Sequence, residues 1–349
     1  MSDVIVRVAA RGDGVTADGC HAAFAAPGDT LTPDNLVIPG PHHQTPPCRH
    51  FPVCGGCQLQ HLDDASYADF LTDRISGALA AQGLTAPLRP PSLSPDRTRR
   101  RAALHAEVKG GAVRLGFSEP ASHAIVDVQE CWILTPALFA ILAPLRKLLA
   151  RALKGRARLH LTEVDQGIDL LIEGKLAEGL AIAEGITAFC GTREGEASLV
   201  AAVREAIGAV RVSADLFAGL GTLALSLPGK VYAAEAGRDA IFALKAGAAQ
   251  AGRAVFAEHR DLFRRPLTSA ECDRFEAIVL DPPRAGAREQ VTQLAASKVP
   301  VIAYVSCNPS SFARDAEILC KGGYTLDWVQ PIGQFRWSTH AELAARFSR

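Results

Sequence analysis

The run Val-Ser-Ala-Asp-Leu-Phe-Ala-Gly-Leu-Gly-Thr occupies residues 212–222. Its first half is a short apolar stretch of the kind that forms a buried strand, and its second half is a Gly-x-Gly turn expected to open a helix. Glycines there let the backbone approach a ligand closely, and the free N–H groups of a helix start can face it. Leu225 stands where a third glycine would complete the dinucleotide fingerprint, which sets that reading aside. Working outward, the next apolar stretch ends in Glu235, fourteen residues after Gly221, where a carboxylate can accept both hydroxyls of a ribose. A third expected strand is followed by Asp261, and a fourth by Asp281-Pro282-Pro283-Arg284. Open α/β sheets bind ligands at the carboxyl ends of their parallel strands, where all four features fall. Each alone reads as a cap or a turn; the four in order favour an adenosine-type cofactor.

The surrounding pattern predicts a parallel α/β sheet, with strands at 212–217, 230–235, 253–257, 276–281, 299–305 and 323–329 and helices over 238–251, 287–297 and 309–321. Upstream, residues 1–47 read as a small β unit and a linker. Residues 48–198 read as a central domain, with a helix over 64–83, strands within 99–134, a helix from Thr135 to Leu153 and strands from Leu159 to Ile172. Residues 199–349 form the third segment. A hydrophobic fraction of 48% and a charged fraction of 21% exclude a mostly disordered chain. Lys+Arg and Asp+Glu are 37 each, so whole-chain charge does not advertise a nucleic-acid partner. A local basic strip does: Arg89, Arg97, Arg99, Arg100, Arg101, Lys109 and Arg114 meet only Asp96 and Glu107. No apolar run has membrane-spanning length and the first residues lack a signal-peptide core, so a cytoplasmic protein with no membrane contact is expected.

Nine cysteines in a reducing compartment read as metal ligands or nucleophiles. Cys307 follows the buried-type run 301–305 and precedes Asn308-Pro309, a strand-to-helix bend where a helix N-terminus should lower a thiol's pKa. Cys20, Cys190, Cys272 and Cys320 read as inert. Cys48, Cys54 and Cys57 cluster, with Cys131 far downstream. There is no second close pair for a zinc ribbon and no βαβ setting for a redox Cys-x-x-Cys. Three thiolates plus a distant fourth fit a [4Fe–4S] cluster.

The order of cofactor features resembles class I methyltransferases that use S-adenosylmethionine. Leu-Asp-Pro-Pro-Arg-Ala-Gly (280–286), Tyr-Val-Ser-Cys-Asn-Pro-Ser-Ser-Phe-Ala-Arg-Asp (304–315) and Thr-His-Ala-Glu (339–342) narrow this. Together they resemble the RNA uracil-C5 methyltransferase family, over about 48–131 and 212–349. The resemblance implies a Rossmann-like methyltransferase sheet, a central iron–sulfur α+β domain and a shortened OB-like RNA-binding unit. It also implies Cys307 as nucleophile toward uracil C6 and Glu342 as the base for the C5 proton. Phe217, Gly219, Thr222, Glu235, Asp261 and Asp281 would bind the cofactor, Thr222 standing where many members carry Asn. Residues 48–62 and Gln129-Glu130-Cys131 resemble the cluster ligands of the 23S rRNA branch, so 23S rRNA is the expected substrate. A tRNA substrate or a non-catalytic RNA-binding role are the alternatives, and no obligate protein partner is implied. One departure is the stretch 187–196, where Phe189 has no Gln beside it and the chain looks shortened.

Overall fold

A computed structural model describes residues 3–176 and 191–349 of the chain; Phe189 and Cys190 lie outside the described residues. In β1 (Asp3–Val8) a register shift between Ile5 and Arg7 turns Ile5 and Val8 inward. With β2 (Gly14–Thr16), β3 (His21–Ala22), β4 (Thr30–Leu31) and β5 (Val37–Ile38) it forms an antiparallel sheet of order β3-β2-β1-β4-β5. The shortened segment thus still makes five strands, three of them of two residues. Buried Asp29 staples the following turn, accepting from Ala26 N, Gly40 N and His43 Nδ1, each at 2.7 Å. The helix α1 (Asp64–Ala80) has the expected apolar stripe, with Tyr67, Phe70, Leu71, Ile75 and Leu79 buried. A short strand β6 (Ser92–Leu93) follows.

The strands β7 (Arg101–Lys109), β8 (Ala112–Gly116), β9 (Leu153–Val164) and β10 (Gly167–Leu176) form an antiparallel sheet of order β10-β9-β7-β8. The helix expected over 135–153 is two helices, α2 (Pro136–Ala140) and α3 (Leu142–Ala152). Pro144 has no N–H to give Ala140, which ends the first helix. Ala102, Leu104, Ala106, Leu159 and Leu161 are buried on the sheet face that α3 covers.

Next come α4 (Arg193–Ile207), β11 (Val212–Leu216), β12 (Lys230–Glu235), α5 (Arg238–Gln250), β13 (Val255–His259), α6 (Ser269–Cys272) and β14 (Ala277–Leu280). They are followed by α7 (Arg288–Ala295), β15 (Val301–Ser306), α8 (Pro309–Lys321), β16 (Thr325–Gly333) and β17 (Glu342–Ser348). The sheet order is β13-β12-β11-β14-β15-β17-β16-β6. β11 to β15 run parallel, and β17 lies antiparallel between β15 and β16. Apolar runs such as Ala277–Leu280, buried throughout, match strands covered on both faces. No regular helix follows Gly221: residues 222–226 are successive turns, cut short by Pro228-Gly229.

By contacts the chain divides into two units. One takes the residues up to Phe70, 93–194 and 334–339; the other takes 71–92, 195–333 and 340–349 and holds the mixed sheet. The three-segment division at 47 and 198 remains a proposal.

Candidate active site

All expected catalytic and cofactor residues belong to the second unit. Phe217 leaves β11 with φ 67°, a conformation rare for a bulky residue, and its N–H and that of Ala218 both donate to Ala234 O, at 3.0 and 3.1 Å. This pins the turn onto β12. Gly221 has φ 94°, and a Cβ there would stand 2.1 Å from Leu244 Cδ1, so only glycine fits. The Glu235 carboxylate accepts from Gly219 N at 3.0 Å and Gly237 N at 2.7 Å, which orients it across the mouth of the turn. Asp261 accepts from Phe263 N at 3.0 Å, and the Phe263 ring stands 5.4 Å from that of Phe217. Phe217, Gly219, Glu235 and Asp261 therefore gather at the carboxyl ends of β11 to β13, with half-buried Thr222 in the turns beyond. An open groove beside β13, floored by Tyr232, Phe256 and Phe275, holds none of these residues.

The expected nucleophile and base lie at neighbouring strand ends. Ser306 on β15 pairs with Leu343 on β17; Cys307 leaves the end of β15 and Glu342 opens β17, near enough that the Glu342 carboxyl acts on the thiol. Asn308, directly after Cys307, caps α8 through its Oδ1, which accepts from Ser310 N, while its Nδ2 donates to Arg284 O at 2.9 Å. Buried Asp315 accepts from Tyr304 OH and from Ala287 N, both at 2.6 Å, and Arg314 donates to Ala285 O at 2.7 Å. The loop after Asp281 is thus tied to α8 at several points. Much of the 304–315 motif positions that loop.

The charge environment departs from expectation at Cys307. Burial raises its thiol, and the carboxyls of Glu342 and Asp281 raise it further against the opposing charge of Arg284. Burial above all, with the two acids, outweighs any lowering by the helix start. Glu342 is pushed up to about 8 by burial and by Asp281. Asp281 reaches solvent, yet the protein crowded around it pushes its carboxyl up to about 6. Asp215, which the sequence reading passed over, is fully buried on β11, and its oxygens have no hydrogen-bond partner. Burial first, then Asp281 and Glu235, raise it to about 8. Three acids with raised carboxyls gather near Glu235, and a bound cation would favour their ionised forms. That suits S-adenosylmethionine, which carries a sulfonium and an ammonium.

In the other unit, Cys48, Cys54, Cys57 and Cys131 line one small cavity with Phe51, Phe117 and Ile133. Burial pushes Cys54 up to about 11 and Cys57 up to about 12, and neighbouring thiols add to the rise in both. Among the described residues, no three His, Cys, Asp or Glu side chains are grouped to hold a single metal ion. The basic strip does not persist as a strip. Arg89 pairs with Glu205 and lies over Trp328, Arg97 lies over Trp132, Arg99 packs on Phe117 and Phe335, and Arg100 is buried. His42 and His43 pair with Asp63 and Asp29. No helix among the described residues is long and apolar enough to cross a membrane.

Comparison with known proteins agrees with this geometry. Residues 243–348 match the model of the tRNA (uracil-5-)-methyltransferase family. An RNA methyltransferase of Zymomonas mobilis is 44% identical over 393 aligned positions, covering 99% of both chains. The 23S rRNA (uracil(1939)-C(5))-methyltransferase of Halomonas elongata is 30% identical, over 85% of this chain and 75% of that protein. Among solved structures, the Pyrococcus abyssi tRNA (uracil-54, C5)-methyltransferase with S-adenosyl-L-homocysteine superposes with a TM-score of 0.74 at 21% identity, over 99% of this chain and 100% of that one, a likeness of fold. With relatives aligned along most of its length and the family model matched over residues 243–348, the chain belongs to the RNA uracil-C5 methyltransferase family.

Proposed function

We propose that this protein methylates C5 of a uridine in RNA, with 23S rRNA as the favoured substrate, through a covalent bond between Cys307 and uracil C6. The observation that carries the reading is the meeting of Cys307, just past the end of β15, with the carboxyls of Glu342 at the start of β17 and of Asp281, both of which act on its thiol. C5 of uracil is too weak a nucleophile to attack a sulfonium methyl unaided, and covalent catalysis divides that step. Cys307 loses its proton as Sγ bonds to C6, and the C5–C6 electron pair moves toward C5 and O4. S-adenosylmethionine, held by Phe217, Gly219, Thr222, Glu235, Asp261 and Asp281, supplies the methyl group. Glu342 then takes the C5 proton, the double bond re-forms, and Cys307 leaves as thiolate. A base poised near the working pH accepts and passes on a proton efficiently, which suits a carboxyl raised to about 8.

Asp215 serves the cofactor's cationic end, its orphaned carboxyl being the nearest thing in β11 to an unmet demand for charge. Cys48, Cys54, Cys57 and Cys131 hold a [4Fe–4S] cluster in this reading; four thiols on one cavity are the matching donor set, and the reaction draws on no redox step. Anaerobically purified protein should be brown and carry about four iron per chain. Stoichiometric zinc without iron would overturn the cluster. The alternative substrate is tRNA, which the family model and the superposed structure favour. Labelled S-adenosylmethionine with total RNA from a strain lacking the gene, followed by mapping, separates the two. RNA carrying 5-fluorouridine at the target should trap the wild type covalently and not Cys307→Ala. An alanine variant that still methylates would sink the mechanism.

A further inference from the structure

We infer that the solvent-facing side of the sheet β10-β9-β7-β8 is a docking surface for the RNA sugar–phosphate backbone. The inference rests on the RNA methyltransferase reading and names a surface that shares Arg114 with the basic strip read from the sequence and adds Arg156 and Arg158. Opposed residues of an antiparallel sheet share a face, and residues two apart continue it. Arg114, Glu107 and Arg156 are opposed in one row across β8, β7 and β9. His105, Arg158 and Glu173 are opposed in the next, across β7, β9 and β10, and His160 continues the face along β9. The other face is the apolar one, with Ala102, Leu104, Ala106, Ala157, Leu159 and Leu161 buried.

Arg114, Arg156 and Arg158 are exposed. Glu107 is engaged by Arg156 at 2.7 Å, and Glu173 lies 3.3 Å from His160. Arg114 and Arg158 have no carboxylate within ion-pair distance among the described residues. The face acts as a positive field: burial lowers the pKa of His105, and Arg158 and Arg156 lower it further. Arg156 and Arg158 stand about 6.8 Å apart along the strand, comparable to successive phosphates of a nucleic-acid chain. Guanidinium groups bind phosphate oxygens through paired N–H donors. A protein partner would need an apolar centre, and among the described residues this face offers little beyond half-buried Leu171 and the small side chains of Ala103 and Ala112.

The test uses full-length wild type, the double variant Arg114→Gln/Arg158→Gln, and Arg211→Gln as a charge control on the other unit. Each is titrated with a labelled mixed-sequence single-stranded RNA over a range of salt, and separately with S-adenosylmethionine. For every phosphate that a variant no longer neutralises, the slope of log Kobs against log salt should shrink by about 0.7. The double variant should bind RNA roughly tenfold more weakly, with a slope reduced by about 1.4. Its S-adenosylmethionine affinity should match wild type, and Arg211→Gln should behave as wild type throughout. Wild-type RNA affinity and slope in the double variant, or an equal loss in Arg211→Gln, would overturn the surface and leave the proposed function standing. Failure of the wild type to bind RNA would overturn both.

Discussion

At the scale of single residues, the site is defined by acids that the fold keeps from ionising. Asp215 and Glu342 are raised to about 8 and Asp281 to about 6, so at neutral pH the free protein holds protons that a bound cation would expel. S-adenosylmethionine binding should therefore release protons, and its affinity should rise with pH up to about 8, by up to about tenfold per unit for each proton released. Calorimetry in two buffers of different ionisation enthalpy measures this; identical apparent enthalpies would refute it. Glu342→Gln should still form the Cys307–uracil bond and accept the methyl group, yet fail to eliminate, so that a methylated protein–RNA adduct accumulates on denaturing gels. Wild-type turnover in that variant would assign the base elsewhere. Asp215 was invisible to sequence reasoning because a single acid in an apolar strand has no spacing partner. Its signal is thermodynamic: a buried carboxyl without a hydrogen-bond partner is costly and needs a reason.

At the scale of elements, the parallel strands were legible because strands buried on both faces are written as unbroken apolar runs, as in Val301–Val305. β17 was not: Glu-Leu-Ala-Ala-Arg-Phe-Ser is Ala-rich, and its burial comes from two flanking strands that no local pattern reveals. Glu342 was singled out through the motif, while its place at the start of β17, beside the end of β15, needed the sheet order. The helix expected after Gly221 failed because Pro228 and Gly229 come too soon for a stable run of turns to become one. The turn itself is tightly constrained. Gly221→Ala should cost about 2 kcal/mol, since the new methyl meets Leu244 and the backbone conformation disfavours a side chain. Chemical denaturation should show that loss together with weakened S-adenosylmethionine binding; unchanged values in both would mean that the turn has room. Asp315→Asn should lower kcat more than it raises the Kd for S-adenosylmethionine, because it loosens the Asp281 loop against α8 and touches no cofactor atom.

At the scale of the whole molecule, the two units respond to pH in opposite senses. In the cofactor-free protein, the raised acids of the mixed-sheet unit bind protons that the unfolded chain releases above the ordinary carboxyl range. That unit loses stability as pH rises from about 4 to 8. His61, buried in the other unit among Phe24, Phe51 and His43, is lowered to about 4, chiefly by burial. Its unfolded form takes a proton near 6.5, so that unit loses stability as pH falls from 6.5 toward 4. Hydrogen exchange at pH 5 and 7.5, corrected for intrinsic rates, should show protection moving in opposite directions, and parallel changes would contradict it. The insertion of β17 between β15 and β16 has a further consequence for biogenesis. Those two strands are synthesised first and leave a slot with bare edges on both sides, a template for wrong pairing until the segment 342–348 enters. A nascent chain at that stage also lacks Glu342, the proposed base, which the strand that closes the slot delivers. A separately supplied peptide of that segment could fill the gap in a shortened protein, making the carboxyl-terminal strand a detachable key to both folding and chemistry.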